Sequence, residues 1–165
     1  MRLSSILDPR RVVLDVGTGS KHDVLARLAD AISASRPDLD RAAILAELER
    51  RETESSTAIA DGIAIPHARP QISEPIAAFG RSKNGTDFDS LDGRPTTLLF
   101  VLLSPLGSSS VHVAWLAHIA RVLSDASTRL RLLHAETQGQ ILDILRERET
   151  DIEAAAAAPA RKDAQ

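Results

Sequence analysis

The chain has no cysteine and no tyrosine, one tryptophan and three phenylalanines. Without cysteine there are no disulfides, no thiolate nucleophile and no thiolate metal ligand. Aromatic residues make up 2% of the sequence (Phe79, Phe88, Phe100, Trp115), too few for a platform on which bases stack. The formal net charge of -3 supplies no basic footprint for nucleic acid. No stretch approaches the roughly 18 uninterrupted apolar residues of a spanning helix. The opening MRLSSILDPRR has no apolar run of the signal-peptide kind. These absences predict a cytoplasmic protein with no membrane insertion and no nucleic-acid partner.

What is present fits one globular domain. The 165 residues are 43% apolar and 26% charged, so the chain can bury a sizeable core, built from Leu, Ile, Val and Ala. RVVLDV (11–16) reads as a first strand. Ser20 is a plausible N-cap for a helix to about residue 34, and Asp40 for a second helix with Ile44, Leu45 and Leu48 on one face. A β-rich middle follows: GIAI up to Pro66, PIAAFGRS (75–82), an Asp92-Gly93 turn signal, and TTLLFVLL (96–103), which is apolar enough for a strand buried on both faces. Helical patterns then cover about 109–124, 126–135 and 137–149. The domain is expected to span 1–150, with 151–165 as a frayed or disordered tail, since its alanines carry no amphipathic pattern. Helices before, strands between and helices after imply a sheet covered on both faces.

Several motifs invite chemistry. DVGTGSK (15–21) places two glycines and a lysine before a helix. It meets neither the P-loop spacing nor the third glycine of a dinucleotide fingerprint, and reads as a capped turn. The histidines His22, His67, His112, His118 and His134 contain no i, i+4 pair and no H-E-x-x-H. A distant pairing of His67 with His112 stays open, but no metal site and no cofactor is expected. G-x-S-x-G is absent, so the serines 108–110 read as a loop and helix cap.

The segment GIAIPHARP (62–70) is the most informative. Pro66 fixes its own φ and biases Ile65 toward extended geometry, so His67 leaves a strand end on a stiff backbone. A neutral imidazole is a good nucleophile near neutral pH, and an ordinary hydrogen-bonded histidine would look the same. Arg51 shares a helix face with Ile44 and Leu48. His112 lies on a stripe with Leu116, Ile119 and Leu123, while Val111, Trp115, His118 and Val122 compete for the inward role. An arginine and a histidine on apolar stripes need polar partners, and a shared anion, an internal ion pair or solvent would each serve. His22, His118 and His134 read as solvated or partly packed.

ERRETESSTAIADGIAIPHA resembles the active-site signature of the fructose/mannitol-type EIIA domains (EIIA type 2) of the bacterial phosphoenolpyruvate-dependent phosphotransferase system. Glu52 opens the pattern, Ile59-Ala60 form the apolar-small pair, Ile63-Ala64-Ile65 follow, and Pro66-His67-Ala68 close it. FDSLDGRPTTLLFVLLSP and VHVAWLAHIARVL extend the likeness to about residues 3–148. The resemblance implies an α/β, three-layer α/β/α sandwich with a mixed sheet flanked by helices. It implies His67 as phosphoryl acceptor, with His112 and Arg51 stabilising the phosphate and Ser56 and Thr57 lining the site. Pro66 would act as a clamp, and Ala68 would leave a partner room to approach. The implied partners are a histidine phosphocarrier protein (HPr/NPr-like) and either regulatory target proteins or a IIB domain. No IIB, membrane or fused carrier segment accompanies the domain, so the expectation falls on the nitrogen-regulatory branch, a phosphorylation-dependent regulator. A sugar-permease IIA unit is the alternative. A binding module that is never phosphorylated would be free to lose His67 and Arg51, and both are present. Two departures stand out: Ala58 and Ala60 replace the usual glycines, and Val113 follows His112 where leucine is common.

Overall fold

The computed structural model describes residues 1–107 and 109–157. A 3-10 turn, Leu3–Ser5, precedes β1 (Leu7–Val13). Two helices follow, α1 (Lys21–Ser35) and α2 (Arg41–Glu54). Then come β2 (Ala58–Ala60), β3 (Ile63–Ala64), β4 (His67–Ala68), β5 (Ile76–Thr86) and β6 (Thr96–Leu103). Three helices complete the order: α3 (Ser109–Leu123), α4 (Ala126–His134) and α5 (Gln138–Ala157).

The strands form one mixed sheet in the order β1-β5-β6-β3-β2, with β4 also paired to β6. β6 lies at its centre, antiparallel to β5 and parallel to β3 and β4. Its alternation builds both cores at once. Leu98, Phe100 and Leu102 pack with the α3–α5 side. Leu99, Val101 and Leu103 pack with the α1–α2 side. Each fully buried Leu or Phe contributes about 1.5–3 kcal/mol. The continuous apolar run therefore serves two helical layers, giving the α/β/α sandwich.

Helix starts follow local chemistry. The Ser20 hydroxyl accepts from the Asp23 N–H, and the Asp23 carboxylate accepts from the Ser20 N–H, a complete capping box on α1. Asp40 accepts from the Ala42 and Ala43 N–H groups and starts α2. The loop 15–20 is closed on itself: Gly17 N–H donates to Asp15, and Arg27 donates to the carbonyls of Val16 and Thr18. It is a capped turn with a guanidinium already in its mouth.

β1 begins earlier than the hydropathy of 11–16 predicts. Its register shifts between Leu7 and Val12 around Pro9, which has no N–H to donate. The buried Arg11 side chain bridges the gap, donating to the carbonyls of Ala77 and Ile6 and to the Ser35 hydroxyl. On the adjacent strand, Arg81 is also buried and donates to Leu14, Leu132, Leu133 and Ala135 carbonyls, closing the C-terminus of α4.

The last helix corrects the expected tail. α5 continues to Ala157, and Ile152 is 7% exposed. Glu149, 1% exposed, accepts from the Leu3 N–H at 2.6 Å and lies 2.7 Å from His118 Nε2. Arg2 pairs with Glu153. The chain's own N-terminus thus supplies partners that no periodicity in 151–157 reveals. Residues 158–165 of the expected tail lie outside the described residues. Among the described residues, no helix is long and apolar enough to cross a membrane. Ile152→Asp should lower the unfolding free energy by about 2–4 kcal/mol, because a charge replaces a buried apolar group. Urea denaturation of the full chain measures it.

Candidate functional site

Three elements converge on His67. β3 and β4 run along β6 as one interrupted strand: Ile63 and Ala64 pair with Leu98 and Leu99, and His67 and Ala68 with Leu102 and Leu103. The interruption is Ile65-Pro66. Ile65 N–H turns to the Thr57 carbonyl at 3.0 Å, and the Pro66 carbonyl accepts from Leu102 N–H at 3.0 Å. His67 is therefore held on both sides by ladder bonds, with Ser104 N–H donating to the Ala68 carbonyl at 3.1 Å.

The imidazole of His67 is bonded at both nitrogens. Nδ1 lies 2.8 Å from the Ile65 carbonyl, which can only accept, so Nδ1 carries the hydrogen. Nε2 accepts from Arg51 Nε at 3.0 Å and so presents its lone pair. Arg51 occupies the last turn of α2 and also donates to the Ser55 carbonyl at 3.0 Å, where the helix leaves carbonyls unpaired. His112, in the first turn of α3, places its ring 5.3 Å from that of His67, inclined by 54°. Its Nδ1 is 2.5 Å from the Ser104 hydroxyl. The buried face of α3 combines both stripes read from the sequence: His112, Trp115, Ile119, Val122 and Leu123 point in, and Val111 is exposed.

His67, His112, Arg51, Ala68, Arg69, Glu47, Arg50 and Leu106 line an open cleft of about 400 Å³. Burial pushes the His67 proton affinity below its ordinary value of 6.5; the Ile65 carbonyl pulls it up, and the Arg51 charge pulls it down. His112 is lowered too, by burial first and then by His67, Arg69 and Arg51. Both rings are neutral at pH 7, His67 with a lone pair at Nε2 and His112 as a hydrogen-bonding neighbour.

The structure brings His67, Arg51 and His112 together and separates Ser56 and Thr57 from them. Thr57 is buried, and its N–H and hydroxyl donate to Glu52, the hydroxyl at 2.5 Å. Ser56 donates to the Phe88 carbonyl and accepts from Ala58 N–H. Both hydroxyls are committed away from the cleft. Thr57 acts instead through its carbonyl, which fixes Ile65 and so the acceptor of His67 Nδ1–H. Ala68 lines the cleft beside His67 and, 5% exposed, also packs into the core on the α1–α2 side. Ala58 and Ala60 sit in β2 without positive φ, so that backbone does not require glycine.

Spacing missed two supports, Ser104 and Arg69, and gave Glu52 only as the opening of the signature. Glu52, 6% exposed, organises the loop: besides Thr57 it takes Lys21 Nζ at 3.0 Å, and Lys21 also reaches Asp89 at 2.8 Å. Ser104 orients His112, and Arg69 enters the cleft beside it. The signals of Ser104 and Arg69, two residues near strand ends, are indistinguishable in sequence from ordinary packing. His22 pairs with Glu49, and His134 Nδ1 contacts the Leu130 carbonyl, both away from this cleft. Among the described residues, no group of three or more His, Asp or Glu is placed to hold a metal ion.

Because both rings are held neutral, the unfolded chain binds more protons than the native one below pH 6.5. Stability from this source is complete above that pH and declines as pH falls through it. The His67 and His112 titration midpoints, read by NMR, should both lie below 6.5. Arg51→Gln should raise the His67 midpoint without restoring it fully, since burial is the larger cause.

The chain matches the family model described as "Phosphoenolpyruvate-dependent sugar phosphotransferase system, EIIA 2" over residues 5–148. It is 39% identical to a nitrogen regulatory protein of Pseudomonas aeruginosa, covering 88% of this chain and 95% of that one. It is 34% identical to the fructose-specific EIIABC component of Bacillus subtilis, where the match covers 88% of this chain and spans 23% of that longer protein. Among solved structures, nitrogen regulatory protein IIA-Ntr from Neisseria meningitidis superposes with a TM-score of 0.80 at 30% identity, covering 87% of this chain and 98% of that one. The fold is shared with mannitol IIA of Escherichia coli, solved in complex with phosphorylated IIB, at a TM-score of 0.71 and 15% identity over 86% of this chain and 99% of that one. The chain belongs to the type 2 EIIA family of the phosphoenolpyruvate-dependent phosphotransferase system, whose members are phosphotransferases that accept and pass on a phosphoryl group at histidine.

Proposed function

We propose that His67 Nε2 is the phosphoryl acceptor, and that the donor is the phosphohistidine of an HPr/NPr-like carrier protein. The observation that carries this reading is the His67 tautomer: hydrogen at Nδ1 on the Ile65 carbonyl, lone pair at Nε2 facing Arg51. In the step, the Nε2–P bond forms as the donor's N–P bond breaks, and the donor ring keeps that electron pair. His67 retains its Nδ1 hydrogen, and the Ile65 carbonyl stabilises the positive charge that develops on the ring.

Such transfer needs in-line positioning and neutralised equatorial oxygens more than covalent help. Arg51 is placed for the second task. Its N–H groups, one of which caps the resting lone pair, turn to the arriving oxygens as forked, charge-assisted donors. His112 adds a donor when the Ser104 hydroxyl, 2.5 Å from its Nδ1, donates to that nitrogen and leaves the hydrogen on Nε2. The cleft is open, as a reaction between two protein surfaces requires.

For the output, we infer phosphorylation-dependent regulation of the nitrogen-regulatory kind, in the cytoplasm. A phosphoryl group adds up to about two negative charges beside an exposed surface, enough to gate docking. The near full-length likeness to nitrogen regulatory proteins supports this branch. A second reading, transfer to the IIB unit of a sugar permease, is supported by a fructose-specific EIIA component of Haloferax volcanii that is 37% identical over 95% of its length. Phosphorylated IIB in the mannitol complex sits on a chain of the same fold.

Incubation with phosphoenolpyruvate, first enzyme and carrier should load one acid-labile phosphate, with none on His67→Ala. Equal labelling of that variant overturns the assignment. Arg51→Gln should slow loading by about 10²-fold, the usual cost of one oriented donor at a developing anion. His112→Ala should accept phosphate but return it to the carrier at least tenfold more slowly.

A further inference from the structure

We propose that Arg69 is a positioning residue for the transfer, a strap that sets the spacing of His112 from His67. The inference rests on the phosphocarrier reading and adds a residue that neither the motif nor the tautomer argument includes.

The two histidines arrive on different elements. His67 sits on β4, locked to β6. His112 lies one helical turn into α3, beyond a loop that leaves the sheet after Ser104. That loop packs poorly: Leu106 is 59% exposed, and a Cβ at Gly107 would meet nothing within 4 Å. Arg69, the first residue after β4, spans it. Nη1 donates to the Ser109 hydroxyl at 3.1 Å, and Nη2 to the carbonyls of Pro105, at 3.4 Å, and Leu106. One planar guanidinium thus fastens the strand carrying His67 to both the start of the loop and the first residue of the helix carrying His112. The fork divides the task, Nη2 holding the loop and Nη1 the helix, where lysine offers one nitrogen for both.

Two further observations favour function over packing. Arg69 Nε is buried without an acceptor among the described residues. Lysine or methionine would fill the space without burying that donor, and an unsatisfied buried donor in a native structure calls for an explanation. Arg69 also borders two hollows, the cleft with His67 and a neighbouring groove with Leu39, Ile44 and Ile72. A partner seated on that groove would touch the strap directly. The Arg69 charge is also among the causes that lower His112 proton affinity, consistent with its nearness to that ring.

The test uses the full chain as wild type, Arg69→Met and Arg69→Lys. In the unphosphorylated proteins, NMR reads the His112 titration midpoint and the cross-peak between the His67 and His112 rings. Single-turnover transfer from the phosphorylated carrier is then followed against carrier concentration. Arg69→Met should raise the His112 midpoint and weaken the cross-peak. Its limiting transfer rate should fall by about tenfold, as misplacement of a reacting group does, while the half-saturating carrier concentration changes less than twofold. Arg69→Lys should restore the midpoint, since the charge returns, but not the rate. A wild-type rate in Arg69→Met, an unmoved His112 midpoint in that variant, or full recovery of rate by lysine overturns the proposal. If Arg69→Met does not fold, Ser109→Ala removes one acceptor and should slow transfer about threefold; an unchanged rate there counts against the strap. Failure of the wild type to take up phosphate would sink the phosphocarrier reading, while the NMR arm still measures the spacing.

Discussion

The geometry of the cleft depends on one hydrogen bond, from His67 Nδ1 to the Ile65 carbonyl at 2.8 Å. It puts the ring hydrogen on the inner nitrogen and leaves the outer one with a lone pair. The carbonyl can play this part because Pro66 interrupts the strand, so Ile65 pairs sideways with Thr57 while its carbonyl meets the ring two residues on. Thr57 in turn is fixed by Glu52, and Glu52 by Lys21 on α1. The His67 ring at the sheet's rim is thereby oriented through a relay that reaches the helical layer behind it.

Electrostatics at the cleft pull against one another in a useful way. Two half-desolvated imidazoles and the guanidiniums of Arg51 and Arg69 share a small volume, and the rings give way by staying neutral. Positive charge in the cleft is then carried by the arginines. In the transfer proposed above, a dianionic phosphoryl group would meet these arginines, and Arg51, which holds His67 Nε2 in the resting cleft, would turn to it.

Much of the architecture was legible in the chain. The capping residues Ser20 and Asp40, the apolar run 96–103 and the helical periods of the C-terminal half all correspond to observed elements, because each reflects interactions within a few residues. What was not legible depended on distant partners. β1 extends back to Leu7 because Arg11 repairs its ladder from the side. α5 extends to Ala157 while Glu149 and Glu153 meet the N-terminal residues. Ala68 is buried because a two-residue strand alternates its side chains and no pattern that short reveals which face is which, and Thr57 is buried because Glu52, on the helix before it, binds its N–H and hydroxyl.

The sequence alone determined the local constraints. It set a proline-stiffened histidine after a short apolar strand, an arginine in the last turn of one helix and a histidine in the first turn of another, at spacings that match the EIIA signature. Only the tertiary structure decided which nitrogen of His67 is free, that Ser104 orients His112, and that Arg69 ties their elements together. The reason is physical. Hydrogen bonds at the cleft join Arg51 to His67, 16 positions away, and Arg69 to Ser109, 40 positions away, and such contacts exist only once β6 has gathered strands and helices from both halves of the chain.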